Sequence, residues 1–285
     1  MTAEVTAYVP TFNNASTVQL AVESLMNQSY APREVLVVDD GSIDGTAEAV
    51  AHLPVRLVRH ETNLGRGAAR ATAMKHASCD LVVCCDATSS LGSDFVEKAL
   101  VYFNQDRVAA VFGQICQTES NTVTLRWRAR HLYHLNTNHA RIHRAPLASG
   151  GTMVSKKLVA QVGGFNAALR HNEDSDLGER LLNAGLDVVF DPALIVLSRV
   201  DNTIGELLER YWRWNAGSDE NVSWLGYKRN VIYSIKGMAW QDLRAGDPLA
   251  AGISLLCPHF QYWKSWSRRH RSLVRCRGDA EMNTP

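Results

Sequence analysis

Glu34-Val35-Leu36-Val37-Val38-Asp39-Asp40-Gly41-Ser42 is an apolar run that stops abruptly on two acids, a glycine and a serine. Its consecutive apolar side chains show no alternation between a wet and a dry face, so it reads as a strand buried on both sides. Downstream, Leu81 to Cys85 repeats the pattern and ends at once on Asp86. Upstream, Val5 to Val9 is a shorter version ended by Pro10, and Val55 to Val58 completes a set of four. Helical signals lie between them. Ser16-Thr17-Val18-Gln19 matches a capping box, and Val18, Val22, Leu25 and Met26 follow at helical spacing. Asp44-Gly45 marks a turn, with Thr46 placed to cap a short helix, and Asn63-Leu64-Gly65-Arg66-Gly67 opens an alanine-rich helix through about Ala77. Strands alternating with helices predict an α/β fold with a Rossmann-like, mostly parallel, twisted sheet flanked by helices. Ligands of such sheets bind beyond the carboxyl ends of the strands, where this chain places Thr11, Asp39 and Asp86.

The 285 residues are 46% hydrophobic and 21% charged, a composition that builds a substantial core. A net charge of +1 gives no general attraction to nucleic acid, which is not expected as a partner. Cysteines 79, 84, 85, 116, 257 and 276 form no C-x-x-C pair and are expected to be reduced structural thiols. The first ten residues lack the basic and apolar regions of a signal peptide, and no apolar run approaches the ~20 residues of a membrane span. A cytoplasmic location is therefore expected.

Beyond the first four strands the pattern predicts a strand over Val108 to Phe112 and a long polar helix, rich in Arg and His, over 120–145. Ser149 to Val154 should be extended, Lys156 to Val162 a helix, Gly163-Gly164 a turn, Asp176 to Ala184 a helix and Val188 to Phe190 a strand. Thr203 to Asn215 should be helical, with Ile204, Leu207, Leu208 and Tyr211 on one face. No element is placed beyond about Ser218. The expected division is into stretches over 1–112 and 113–217 and a helical appendage over 218–285.

A nucleoside diphosphate needs hydrogen-bond partners for its base and ribose, and positive charge or metal for its phosphates. Asp39, at the end of a buried strand, is a candidate acceptor for the base or ribose, with Asp40 beside it. Arg66 and Arg70 offer forked donors to phosphate oxygens, from a loop whose glycines admit a close backbone approach. Each residue taken alone also fits a turn or a solvated helix position.

In order, these residues resemble the family-2 glycosyltransferases. The resemblance runs through Pro10-Thr11-Phe12-Asn13, Ser24 to Tyr30, Val37 to Thr46, and Asn63-x-Gly65-x-x-x-Ala69-Arg70. It continues through Gly163-Gly164-Phe165, Glu173-Asp174-Ser175-Asp176-Leu177 and Arg180-Leu181-x-x-x-Gly185, so it spans roughly residues 5–214. It implies a GT-A fold with a nucleotide-sugar-binding half over 1–112 and an acceptor-binding half over 113–217, a nucleotide-diphosphate-sugar donor with UDP favoured over GDP, and an inverting, hexosyl-type transfer in polysaccharide or glycolipid synthesis. By the same resemblance Pro10, Thr11, Asn13 and Asp39 belong to the donor site, with Asp39 at the base. Asp174 maps to the catalytic base that deprotonates an acceptor hydroxyl, and Glu173 is the neighbouring carboxylate expected to raise its proton affinity. Asp174 also suits a helix N-terminus.

The family's metal motif, Asp-x-Asp, reads here Asp86-Ala87-Thr88. The expected cofactor is Mg²⁺ or Mn²⁺ on Asp86, with Thr88 contributing its hydroxyl, but with one anionic ligand fewer. That departure supports an alternative, a catalytically silent protein of the same fold that binds sugar nucleotide or glycan as a scaffold. A nucleotidyltransferase is disfavoured because Pro10-Thr11-Phe12-Asn13 is no glycine-rich basic loop. Arg210-Tyr211-Trp212-Arg213-Trp214 is similar to the Gln-x-x-Arg-Trp motif of processive members, which puts Arg213 and Trp214 near diphosphate and acceptor sugar. An amphipathic helix with packed tryptophans is the competing reading.

No Asp or Glu occurs between Glu119 and Glu173, while Arg126, Arg128, Arg130, Arg141, Arg144, Lys156, Lys157 and Arg170 do. This predicts a basic surface suited to a phosphorylated or lipid-linked glycan acceptor, or bases paired with acids elsewhere. His131, His134, His139 and His143 include metal-compatible spacings without an evident third ligand. Lys264 to Arg277, with Trp263 and Trp266, fits peripheral contact with the inner face of a membrane, or an oligomer contact.

Overall fold

The structure, a computed structural model, describes residues 3–117, 122–133, 140–215 and 222–281, without the side chains of 214–215 and 269–281. The chain forms two compact units, one of residues 1–118 and 137–200, the other of 119–136 and 201–285.

The first unit is built on an eight-stranded sheet. Its strands are β1 (Val5–Thr11), β2 (Glu34–Asp39), β3 (Arg56–Arg59), β4 (Leu81–Cys85), β5 (Ser89–Leu91), β6 (Val108–Gln117), β7 (Gly151–Ser155) and β8 (Asp187–Ser198). The spatial order is β3-β2-β1-β4-β7-β6-β8-β5. β3, β2, β1 and β4 run parallel, as the alternating pattern predicts. β7 is antiparallel to both β4 and β6, and β5 is antiparallel to β8. Pro10 does not end β1, which continues to Thr11 in register with β2. The β4 ladder has already finished at Tyr8↔Cys84, so an imino nitrogen on that side costs no hydrogen bond.

Helices α1 (Val18–Met26), α2 (Thr46–Val50), α3 (Arg66–His76), α4 (Phe95–Leu100), α6 (Lys156–Gln161) and α7 (Glu173–Asn183) flank the sheet. Two hydrophobic clusters result. One joins Val18, Ala21, Val22 and Leu25 to Val9, Val37 and Val83; the other joins Ala69, Ala73 and Leu177 to Tyr8, Leu36 and Val38. The expected stripe on α1 is therefore its buried face, but the expected capping box is not made. Thr17 caps without a side-chain hydrogen bond, and Gln19 donates to Glu23 one turn on. α7 begins at Glu173, three residues earlier than the apolar spacing predicts, because the acids of its first turn carry no apolar signal.

The second unit is helical: α5 (Val123–His131), α8 (Ile204–Asn215), α9 (Trp224–Tyr233), α10 (Trp240–Arg244) and α11 (Pro248–Glu281), with a π-helical turn, Ser234–Ala239, between α9 and α10. Trp127, Leu207, Leu208, Tyr211, Met238, Ala250, Ile253 and Cys257 form its core. Ile204, expected on the buried face of α8, is exposed, and Trp212 is buried in its place. The long helix expected over 120–145 is limited to α5. Residues 140–148 are extended or irregular, with Ile142 bridging to Phe190 on β8, and 134–139 lie outside the described residues. No helix among the described residues is long and apolar enough to cross a membrane.

Candidate active site

The carboxyl ends of β1, β2 and β4 carry the polar residues singled out in the sequence. Asp39 is fully buried at the end of β2, where its Oδ1 accepts from Ser42 N–H at 2.9 Å. Its Oδ2 has no hydrogen-bond partner, although Arg59 Nε lies 3.2 Å away. A buried carboxylate oxygen held near a cation but lacking a donor is ready to accept one from a ligand. Pro10 and Thr11 form the adjoining end of β1. Asn13, at φ 52°, donates its N–H to Ser42 Oγ and accepts from Ile43 N–H, tying the loops after β1 and β2 together.

Asp40, expected in the donor site, has both oxygens engaged within its own loops. Oδ1 meets Leu64 N–H at 2.9 Å and His60 Nδ1 at 2.7 Å, and Oδ2 accepts from Gly65 N–H at 2.8 Å. This latches the segment before α3. Gly65 has φ 102°, and a Cβ there would meet the Arg170 backbone at 2.9 Å, so the glycine is required on two counts. Arg66 is exposed at the start of α3.

Arg70, expected to meet phosphate oxygens, is buried instead. Its Nε donates to Glu173 Oε1 at 2.9 Å, Nη1 to Tyr8 OH at 3.2 Å and Cys84 Sγ at 2.8 Å, and Nη2 to Asp86 Oδ1 at 2.9 Å. Burial alone would lower its pKa, but the surrounding groups, Asp86 and Glu173 among them, raise it well above the usual arginine value. The guanidinium therefore clamps the end of β4 to the first residue of α7. Glu173 has the same buried contact, so its charge is answered by Arg70 rather than placed only against Asp174.

Asp174 is partly exposed in the first turn of α7. Its Oδ2 accepts from Ser149 Oγ at 3.0 Å and Ser149 N–H at 3.3 Å, and its Oδ1 from Ser175 N–H. The next residue, Gly150, accepts the Asp86 N–H through its carbonyl at 3.2 Å. Asp86 and Asp174 thus flank a single dipeptide, Ser149-Gly150, and are joined again from beneath through Arg70 and Glu173. Ser149 joins the candidate site without having been expected from the sequence; its only signal is its place before the glycine pair that opens β7.

Asp86 Oδ1 is engaged by Arg70, while the side chain as a whole is about a third exposed. Thr88 is partly buried and its carbonyl accepts from Arg199 N–H. No group of three His, Cys, Asp or Glu side chains among the described residues is arranged to hold a cation. The donor set fits a hard divalent ion only if a ligand's own phosphates and water complete the shell, which is usual for Mg²⁺.

The second unit holds Arg213 and Trp214. Arg213 is exposed on α8, and the side chain of Trp214 lies outside the described residues. Trp212 lies under the Arg268 guanidinium, 4.3 Å from its ring centroid. Of the eight bases expected to form a basic surface over 119–173, four pair with acids distant in sequence, Lys156 donates to the Ala77 carbonyl and Lys157 is exposed. Arg126 pairs with Asp247, Arg130 and His131 with Asp242, Arg141 with Asp191 and Arg144 with Asp187. Arg128 is buried, and Arg170 donates to Asn63. His131 is thus engaged by a carboxylate, His143 is exposed, and His134 and His139 lie outside the described residues.

Known proteins give the same picture of the fold. A mannosyltransferase from Pyrobaculum calidifontis, solved in complex with GDP-Man and Mn²⁺, superposes with a TM-score of 0.58 at 19% identity, covering 95% of this chain and 75% of that one. The chain is 28% identical over 204 residues to the pre-mycofactocin glycosyltransferase of Mycobacterium tuberculosis, covering 68% of this chain and 42% of that protein. It is 25% identical over 231 residues to an N-acetylglucosaminyltransferase of Rhizobium sp., covering 72% and 50%. The chain therefore spans about half the length of these relatives. The sheet is that of a GT-A glycosyltransferase, and the profile of Glycosyl transferase family 2 matches residues 6–163, so this chain belongs to that family.

Proposed function

We propose that the chain transfers a sugar from a nucleoside-diphosphate donor to an acceptor hydroxyl with inversion, and that Asp174 is the general base. The observation that carries this reading is the pairing of Asp86 and Asp174 across Ser149-Gly150, with Arg70 and Glu173 bracing both from below. Asp39 Oδ2 receives an N–H of the base. Pro10, Thr11 and Asn13 shape the nucleotide pocket, and Arg66 at the exposed start of α3 meets phosphate. Asp40 and Arg70 contribute by position rather than by contact.

Asp174 takes the acceptor's hydroxyl proton as that oxygen forms its bond to the anomeric carbon. The bond from that carbon to the diphosphate breaks, and its electron pair leaves with the nucleoside diphosphate. Attack opposite the leaving group inverts the centre. Mg²⁺ or Mn²⁺ would be held by Asp86 with the donor's phosphates and would neutralise charge on the diphosphate. Ser149, donating twice to Asp174 Oδ2, fixes the direction in which the base points. The neighbouring carboxylate, Glu173, is withheld from the acceptor by its pairing with Arg70.

The reading is tested by incubating the purified chain with a panel of nucleoside-diphosphate sugars and glycan acceptors and following nucleotide release. Asp174→Asn should lower kcat by about 10²–10⁴-fold while leaving donor affinity in place. Undiminished turnover by this variant would sink the base assignment. The scaffold reading draws on the shortage of cation ligands around Asp86. It predicts nucleotide binding by calorimetry with no turnover of any donor by the unaltered chain.

A further inference from the structure

The second unit carries an exterior unlike that of the first. Twelve of the twenty large hydrophobic side chains exposed among the described residues lie between Trp224 and Trp266. They recur at helical spacing on outward stripes. Leu225, Ile232, Trp240 and Leu243 follow one side of α9 and its continuation into α10, and Leu249, Leu256, Trp263 and Trp266 follow one side of α11. The opposite sides, with Met238, Ala239, Ala250, Ile253 and Cys257, are buried.

α9 and α11 meet along an aromatic groove of about 330 Å³ lined by Tyr227, His259, Tyr262, Trp263 and Trp266. Trp224 stacks on Tyr227 with ring centroids 5.3 Å apart and meets Tyr262 at 6.1 Å, so the groove and the start of α9 form one surface. Among the described side chains of these helices, 222–268, the exposed charge is basic. From 222 to 268 the only acids are Asp242 and Asp247, both buried and paired with Arg130 and Arg126. Lys228, Arg229, Lys236 and Arg244 are all exposed. Lys228 lies over the Trp224 ring at 5.4 Å and Arg244 over the Trp240 ring at 5.1 Å, so ammonium and guanidinium heads sit at the level of the aromatic belt.

We infer that this face is a docking surface for an anionic phospholipid bilayer, with the aromatic and aliphatic side chains entering the interface and the bases meeting lipid phosphates. Large apolar side chains beside Lys and Arg, with no exposed acid among the described residues of 222–268, match the two attractions that hold a helix in the plane of an anionic membrane. A second copy of the chain fits less well. A two-fold contact would set bases against bases with no exposed acid among the described residues of 222–268 to answer them, and lysine is depleted at protein interfaces. Lipid binding by this face requires no step of sugar transfer, so either can fail without the other.

The test is co-sedimentation of the full chain with vesicles of phosphatidylcholine alone and with about 30% phosphatidylglycerol. Partitioning onto the anionic vesicles should be at least about tenfold stronger, and Lys228→Glu with Arg229→Glu should reduce it about tenfold or more. Trp263→Ser with Trp266→Ser should weaken binding at both low and high salt, with circular dichroism checking that the helices remain. A readout needing no variant is quenching of tryptophan emission in the unaltered chain by brominated acyl chains, expected only with anionic vesicles. Equal partitioning onto both vesicle types, or onto neither, overturns the proposal. So does a dimer in light scattering that the tryptophan pair abolishes while vesicles capture nothing.

Discussion

Arg70 is the residue on which most of the candidate site turns. Four polar partners surround one guanidinium, and two of them are carboxylates contributed by β4 and α7. Lysine carries the charge but not the planar fork, so Arg70→Lys cannot reach all four groups. This variant is expected to lose kcat by about tenfold or more, because a small misplacement of positioned groups is costly. Donor KM should move little, and steady-state kinetics with one donor varied separates the two effects. Arg70→Met should cost stability as well, about 3–5 kcal/mol in urea denaturation, because Glu173 is left buried without its counter-charge. Cys84, beneath the same guanidinium, has its thiol pushed up to about 11, chiefly by burial. Cys84 and its buried neighbour Cys85 should therefore resist alkylation at pH 8 in the native chain and react once it is unfolded.

At the scale of elements, α3 rests directly on the 166–170 turn. A Cβ on Gly67 would fall 2.2 Å from Asn166 O and 2.6 Å from Leu169 O, both backbone atoms that cannot step aside. Gly67→Ala should displace the start of α3, lowering Tm and weakening nucleotide binding, both measurable by thermal melts with and without nucleotide. In the second unit α5 is held by a relay of polar contacts. Trp127 Nε1 donates to Ser254 Oγ at 2.8 Å, Ser254 Oγ donates to Asp242 Oδ2 at 2.6 Å, and Asp242 Oδ1 takes Arg130 and His131. Burial would raise the Asp242 carboxyl, but hydrogen bonds from His131 and Ser254, with the His131 and Arg130 interactions, bring it below the usual carboxylate value. A carboxyl depressed in the folded state contributes stability that is present above its unfolded pKa and lost as pH falls through the folded one. Asp242→Asn should thus cost about 3 kcal/mol near neutral pH, with the deficit against the unaltered chain shrinking below about pH 4.

At the scale of the molecule, the chain leaves the sheet unit at 118, contributes α5 to the helical unit, and returns at 137 before leaving again at 200. Each unit is therefore discontinuous, and neither is completed by one stretch of sequence. A chain ended at residue 200 keeps α5 but loses the α8 and α11 residues that bury Trp127. It should bind a hydrophobic dye and self-associate, seen as an early peak in size-exclusion chromatography. A monomeric, dye-silent truncation would show that α5 needs no such cover.

The parallel strands, their order of appearance and the polar ends that mark the site were legible because burial on both faces imposes an unbroken apolar run, and because Asp39 and Asp86 interrupt it at once. Asp174 was singled out only through the resemblance of Glu173-Asp174 to a known motif, and its contact with Ser149 came from the fold. Local sequence could not show that Arg70 faces inward, since an exposed and a buried arginine look alike until their partners, 16 and 103 residues away, are in place. Nor could it show which bases of the acid-free stretch find acids in space, because Asp191, Asp242 and Asp247 come from later elements. Residues 222–281 carry helices that the sequence analysis left unassigned, since aromatic and aliphatic side chains occur on both their buried and exposed faces and blur the helical period. The strand ends were determined by local burial and could be read from sequence; the pairing of charges was decided only by the tertiary structure, because electrostatic contact depends on distance in space.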